Sequence, residues 1–238
     1  MSTGWALVTG ASKGIGAATA AALAGDGYDV LIHYGGDREG AERTVAACTA
    51  HGVEARAVGC DLADDLAPLT EAMEEVGGIS ALVNNAGVTA DGLAMAMKDE
   101  AFAAPWQVNV DAAFKLTRAA LRRMVRARAG RIVMVSSVVG LHGNPGQANY
   151  AASKAALVGL AKTLAREVGG RGITVNAVAP GFVDTAMTSE LGEDLVERIP
   201  AGRLGTPEDV AGAVAFLCSP RADYVNGTVL QVDGGLFA

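Results

Sequence analysis

The sequence predicts an α/β fold, one doubly wound domain over residues 1–238 built on a parallel sheet of about seven strands. Three observations carry this. Short, nearly continuous apolar runs alternate with longer stretches of helical periodicity, the pattern of strands covered by helices on both faces. The first run ends in a glycine-rich turn that opens a helix. No linker, composition shift, internal repeat or low-complexity segment divides the 238 residues, a length that suits one substantial core.

Residues 5–9 read as the first strand, and an Ala-rich helix runs from the glycine turn to about residue 24. Residues 29–34 form strand two and 38–51 a helix. Strand three covers 54–59, a helix 64–76 and strand four 79–84. A long helical region occupies 99–128. Within it Pro105 lacks a backbone donor and crowds the preceding turn, which predicts a kink just ahead of Asn109. Strand five spans 131–136. A helix over 150–168 follows, rich in Ala and Leu at helical spacing. Strand six (174–178), a helix (207–218) and strand seven (228–232) complete the series.

Half the residues are hydrophobic and 19% are charged, which excludes a disordered chain. A formal charge of −7 argues against a nucleic-acid role. No apolar run approaches membrane-spanning length and the first residues carry no basic leader, so no membrane role is expected and the expected location is cytoplasmic. Cys48, Cys60 and Cys218 are odd in number and unclustered, and no metal-ligand spacing links them to the three histidines. They read as reduced thiols, with no metal site.

Gly10-Ala-Ser-Lys-Gly14-Ile-Gly16 stands between strand one and its helix, the Rossmann arrangement for a dinucleotide. Gly10 permits the tight turn, Gly14 lets the backbone approach a pyrophosphate, and Gly16 allows close helix–strand packing. The anion then meets the positive end of the helix. Further on, Ser136-Ser137-Val138 is followed by Gln147-Ala-Asn-Tyr150-Ala-Ala-Ser-Lys154. Tyr150 and Lys154 stand one helical turn apart on the same face. The ammonium is expected to favour the phenolate, drawing Tyr150 down from the usual tyrosine pKa of ~10 and making it a proton donor. A serine hydroxyl from the preceding strand end can hold a carbonyl oxygen beside it. Taken alone, Tyr-x-x-x-Lys describes any amphipathic helix face; its weight comes from the rest of the chain.

The glycine loop, Asn84-Asn-Ala-Gly87, Asn109, Ser137, Tyr150, Lys154 and Pro180-Gly181 occur in order over essentially the whole length. In these the chain resembles the short-chain dehydrogenases/reductases. Within that family it is most similar to the bacterial 3-oxoacyl-[acyl-carrier-protein] reductases. Gly143-Asn-Pro-Gly-Gln-Ala-Asn-Tyr-Ala-Ala-Ser-Lys154, Ala165-Arg-Glu-Val, Arg171-Gly-Ile-Thr-Val-Asn176 and Ile199-Pro-Ala-Gly-Arg-Leu-Gly205 carry the closer likeness. The resemblance implies NADPH-dependent reduction of a 3-oxoacyl thioester, linked to acyl carrier protein, in fatty-acid or polyketide-type synthesis. Tyr150 would protonate the substrate oxygen, Lys154 would also bind the nicotinamide ribose, and Ser137 would hydrogen-bond the carbonyl oxygen. Asn109 would hold a water that relays protons to Lys154. Ser136 competes with Ser137 for the serine role, and the family pattern favours Ser137.

The same resemblance assigns cofactor contacts to Ser12, Lys13 and Ile15 in the glycine loop and to Asp61 and Leu62 at the adenine. It adds Asn85, Ala86 and Gly87 in the cleft, and Val183 and Thr185 beyond Pro180-Gly181. Tyr34 stands where NAD enzymes of this fold place a carboxylate. With Lys13 and Arg38 nearby, this favours the 2′-phosphate of NADP. Asp37 could still turn towards a ribose, and Arg38 is equally well a solvated helix start. Residues 186–204 are rich in Thr, Met and Leu, and the resemblance implies that they form a mobile substrate lid. In the basic run from Arg118 to Arg131, Arg118, Arg122 and Arg126 share one solvated face. Arg128 and Arg171 match positions that dock the acidic carrier protein in the family, which is usually homotetrameric. Two alternatives stay open: a reductase of another ketone, of acetoacetyl-CoA, sugar or steroid type, and a non-catalytic dinucleotide-binding regulator.

Overall fold

A computed structural model describes residues 3–185 and 194–238. Its strands are β1 (Trp5–Val8), β2 (Asp29–Tyr34), β3 (Ala55–Gly59), β4 (Ala81–Asn84), β5 (Gly130–Val135), β6 (Ile173–Pro180) and β7 (Val229–Val232). All pair in parallel, in the order β3-β2-β1-β4-β5-β6-β7. The expected seven-stranded parallel sheet is thus present. Between them run α1 (Gly14–Gly25), α2 (Arg38–Thr49), α3 (Ala67–Glu75), α4 (Asp99–Pro105), α5 (Ala113–Ala127), α6 (Val139–His142), α7 (Ala148–Val168), α8 (Asp194–Glu197) and α9 (Pro207–Cys218).

Strand alternation sends successive side chains to opposite faces. Ala6, Val8, Val30, Ile32, Val83 and Val133 join one buried cluster with residues of α1 and α9. Leu7, Leu31, Leu82, Ile132 and Met134 join a second with residues of α3, α5 and α7. Both faces are therefore apolar, which is why the strands read as continuous hydrophobic runs. The strand order reverses between β1 and β4, so the crevice for a ligand opens past Val8 and Asn84.

The long helical region departs from a single α-helix. α4 ends at Pro105, the backbone takes π-helical geometry over Trp106–Ala112, and α5 resumes the α register. Pro105 has no N–H to give to the Ala101 carbonyl four residues back. That carbonyl accepts instead from Asn149 Nδ2 at 2.7 Å, and the same Nδ2 donates to the Ala90 carbonyl at 2.8 Å. Asn149 is fully buried. The chain between Ser137 and Tyr150 contains the short helix α6, and α7 starts at Ala148, ahead of the expected Tyr150. Arg131 does not belong to a solvated charge run, because its guanidinium pairs with Asp223 and is mostly covered. Of the expected lid, residues 186–193 lie outside the described residues. Among its described part, Ile199 is buried and the Ala201 amide donates to the Gly234 carbonyl at 3.0 Å.

The outer strand β7 is tied to β6 by Asn176. Its buried amide donates to the Val225 carbonyl at 2.9 Å and accepts from the Thr228 amide at 3.1 Å. Asn176→Ala leaves both backbone groups without their partner, at about 1–3 kcal/mol for each one kept from water. Hydrogen exchange should accelerate over residues 225–232 well before the β1–β4 centre is affected. Uniform acceleration across the sheet would show that the link is not local.

Candidate active site

At the sheet's carboxyl rim, Thr9 knits the two central strands together. Its hydroxyl accepts from the Asn85 and Ala86 amides, each at 3.0 Å, while Asn85 Nδ2 donates to the Thr9 and Gly10 carbonyls at 2.8 and 3.1 Å. Sequence reasoning gave Thr9 no role, and a lone strand-end threonine offers no signal for one. The glycines fit a cradle for a flat or charged ligand. A side chain at Gly16 would run into the Gly10 carbonyl, and one at Gly10 would stand 2.9 Å from the Ala86 Cα. Gly14 holds a left-handed φ of 55° at the mouth of α1, with Thr185 the nearest group to a side chain placed there. The backbone of the turn is left open to an approaching phosphate, and the residues present suit a dinucleotide.

Tyr150 and Lys154 lie on the first two turns of α7. Lys154 is 3% exposed, its Nζ donates to the Val135 carbonyl at 2.8 Å and stands 5.7 Å from the centroid of the Tyr150 ring. A side chain at Gly87 would stand 3.0 Å from that Nζ, which places the ammonium against the cofactor cleft. Burial draws the Lys154 pKa down from 10.5 to about 8. The expected lowering of Tyr150 is reversed. Burial raises the phenol above its ordinary value, the Ser137 hydroxyl works the other way, and the Asp91 charge raises it further. A phenol held protonated at neutral pH remains able to give a proton.

The two serines part company. Ser136 Oγ donates to the Lys154 carbonyl at 2.8 Å and so fastens α7 to the end of β5. Ser137 Oγ accepts from the Val139 amide at 3.1 Å and lies beside Tyr150. Asn109 is 1% exposed in the π-helical segment. Its Oδ1 accepts from the Val88 amide at 2.9 Å, and its Nδ2 donates to the Val88 carbonyl at 3.1 Å and to Ser153 Oγ at 2.9 Å. Instead of pointing at Lys154 alone, Asn109 clamps the segment after β4 to α7. Ser153 and Asn149, both inside the quoted motif, were given no role from sequence because their partners lie in distant segments.

The second strand end modifies the cofactor argument. Asp37 is taken up as the N-cap of α2, its Oδ1 accepting from the Gly40 amide at 2.9 Å, so it does not serve a ribose in this conformation. Arg38 pairs with Glu42 at 2.8 Å on the solvated face of α2, which is the helix-start reading. Lys13 sits exposed at the N-cap of α1, and Tyr34 is half-buried with its ring over Gly59. Asp61 is exposed, with Oδ1 accepting from the Ala63 amide, and Leu62 is buried. Ile15 and Ser12 are half-buried in the glycine turn. The Pro180 carbonyl accepts from Val138 at 2.9 Å, Gly181 donates to Val232 at 2.9 Å, and Val183 bridges to Gly205.

Arg128 reaches the turn that carries Arg171, its Nη2 donating to the Gly170 carbonyl at 3.0 Å. This turn lies at the amino edge of β5 and β6. Tyr150 lies near the other end of the 21-residue α7, about 30 Å away at 1.5 Å per residue. Among the described residues no group of acidic, histidine or cysteine side chains could hold a metal, and no helix is long and apolar enough to cross a membrane.

A parallel sheet reversing at β1/β4, a glycine cradle there, and a Ser–Tyr–Lys group on the same rim define a dinucleotide-dependent oxidoreductase fold and site. A family model described as enoyl-(acyl carrier protein) reductase matches residues 10–237; the chain belongs to this branch of the short-chain dehydrogenases/reductases. It is 45% identical over 239 residues to the 3-oxoacyl-[acyl-carrier-protein] reductase FabG of Staphylococcus aureus (strain Mu50), covering 98% of this chain and 97% of the relative. It is 45% identical to the 3-oxoacyl-[acyl-carrier-protein] reductase of Synechocystis, covering 97% and 96%. FabG of Vibrio cholerae matches at 45%, covering 98% and 96%.

The buried ammonium makes a pH prediction. Between pH 8 and 10.5 the unfolded chain holds a proton at position 154 that the folded chain has released, so unfolding free energy rises with pH in that window. Relative to Lys154→Met, the native protein should gain on the order of 3 kcal/mol across it. Urea titrations of both proteins at pH 7.5 and 10 measure the difference. A difference that stays flat would mean that Lys154 titrates at its ordinary value.

Proposed function

We propose that this protein reduces a 3-oxoacyl thioester carried on acyl carrier protein to the 3-hydroxyacyl thioester, with NADPH as reductant. The observation that carries the reading is the Tyr150 phenol and Ser137 hydroxyl beside a buried Lys154 ammonium that abuts the glycine-lined cleft, in a chain 45% identical to proteins named for that reaction.

A reduced nicotinamide, when bound, supplies the hydride. The chain's own residues do the rest. The glycine turn and the amino end of α1 would hold the pyrophosphate, and Lys154, beside Gly87, would bind the ribose hydroxyls. Tyr150, protonated because burial raises it, gives its proton to the substrate oxygen, while Ser137 donates a hydrogen bond to that oxygen. The phenolate left behind is stabilised by the Lys154 ammonium 5.7 Å from its ring. The ammonium therefore acts on the product of proton transfer more than on the resting phenol.

NADP preference is supported by Asp37, which is engaged as the cap of α2 instead of facing the strand end, and by exposed Lys13. Leu93, Met95 and Phe102 are exposed apolar side chains on the segment that closes against the Gln147 turn through Gly92 and Gly146, which suits an acyl chain. Arg128 and Arg171 remain the proposed carrier-protein contact. Because they lie at the far end of α7 from Tyr150, an acyl group held there would serve a second copy of the chain, in keeping with a homotetramer. A cytoplasmic setting suits the three free thiols.

The family model and the relatives are named for reduction of different bonds, and one assay separates them. Oxidation of NADPH should be rapid with an acetoacetyl thioester and negligible with a crotonyl thioester, and NADH should serve poorly. Tyr150→Phe should lose about two to four decades of turnover while still binding NADPH. Preference for the crotonyl substrate, or substantial activity in Tyr150→Phe, sinks the mechanism.

Docking is tested with Arg171→Glu, which spares the Arg128 strap to Gly170. The apparent KM for acyl-carrier-protein substrate should rise several-fold at low salt, with turnover of a free thioester unchanged. Parallel loss on both substrates would mean that Arg171 has no docking role.

A further inference from the structure

His33 stands near the end of β2, 2% exposed, and every polar atom it offers to the rim is engaged. Its backbone carbonyl accepts from the Ala11 amide at 2.8 Å. Its Nδ1 lies 3.0 Å from the Gly10 nitrogen, and its Nε2 lies 3.1 Å from the Cys60 carbonyl oxygen. Each partner admits one role. An amide N–H only donates, so Nδ1 must be a bare acceptor; a carbonyl only accepts, so Nε2 must carry the hydrogen. The two contacts fix the neutral Nε2–H tautomer. One ring thus spans from the glycine turn after β1 to the end of β3, where Asp61 and Leu62 begin.

We propose that His33 is a positioning residue for the dinucleotide. As the neutral Nε2–H tautomer it clamps the glycine turn to the end of β3, and protonation releases the clamp and weakens cofactor binding. The inference rests on the dinucleotide reading of the glycine turn and is independent of which ketone is reduced.

Protonation would place a second hydrogen on Nδ1, facing the Gly10 N–H. Two donors then oppose each other at a covered site, and the turn must move or lose its partner. Burial holds the imidazole below the ordinary histidine range, with the Cys60 carbonyl and the Asp61 charge working the other way. At the β3 end the titratable groups are Asp61, which favours protonation, and the Cys60 thiol, which burial pushes up to about 11 and keeps neutral. The glycine turn presents the Gly10 amide. The clamp is therefore intact at neutral pH and is lost as pH falls through a value below 6.5.

Two measurements on the full chain decide it. Long-range proton–nitrogen spectra of the imidazoles, taken from pH 8 downwards, should show His33 as Nε2–H at neutral pH and titrating below the ordinary histidine range. Fluorescence titration with NADPH then compares the native protein, His33→Leu and His33→Asn at pH 7.5 and at a pH below the His33 transition seen in those spectra. Asparagine carries an oxygen acceptor near the Nδ1 position and does not titrate. His33→Leu should bind about tenfold more weakly at pH 7.5, and His33→Asn should recover most of that loss. Below the His33 transition the native protein should lose affinity relative to His33→Asn, a ratio from which the ligand's own titration cancels. An Nδ1–H tautomer, equal affinities for Leu and Asn variants, or parallel acid losses in native and Asn proteins would overturn the clamp. Failure of the native protein to bind either NADPH or NADH would overturn the dinucleotide reading with it.

Discussion

A single buried charge sets the terms for the rest of the site. Lys154 brings an ammonium to a position where water cannot serve it, a cost that only close hydrogen bonds can offset. The Val135 carbonyl provides one such bond, and the neighbouring groups hold the helix that carries the charge. Ser136 takes the Lys154 carbonyl, and Asn109 takes the Ser153 hydroxyl. The end of β5, the first turns of α7 and the π-helical segment are thereby locked to one another over two adjacent residues. Tyr150 inherits its place from this lock, being one turn away on the same helix.

The order of the bonds also separates neighbouring residues that face opposite ways. Ser137 faces Tyr150, whereas Ser136, one residue earlier, faces the helix backbone. Alternation along an extended strand end is enough to send the two hydroxyls apart. Asn109 likewise serves the backbone at Val88 as much as any proton path. The relatives and the family model agree on the scaffold and differ on the bond reduced, as expected when a common core carries variable loops.

Much of this was legible in the sequence. The strands could be read because both faces of the sheet are covered, so each appears as an unbroken apolar run, and helix α9 announces itself through Thr206, Pro207 and Asp209, a complete capping box. The π-helical segment and α6 could not be read, since both depend on partners elsewhere in the chain. The direction of the Tyr150 shift was likewise hidden: spacing places Lys154 one turn away, but nothing local reveals that its ammonium points to Val135. Two local signals bear on the choice that the sequence left open at Asp37 and Arg38. Arg38 and Glu42 stand at i,i+4, and Asp37 precedes a helix start by one residue. Both patterns, given weight, place those charges on the helix and away from a ligand.

Pro105 and Asn149 lie 44 positions apart, yet they form one functional unit of structure: the proline vacates a carbonyl that the asparagine occupies. Neither can be exchanged without changing what the other residue is worth. An alanine at 105 would offer Ala101 a second donor, whereas an alanine at 149 would strand the carbonyl that the proline cannot serve. Sequence change at these two sites is therefore coupled. A lineage or library that varies one of them in isolation misreads the other, and Asn149 is the residue next to Tyr150.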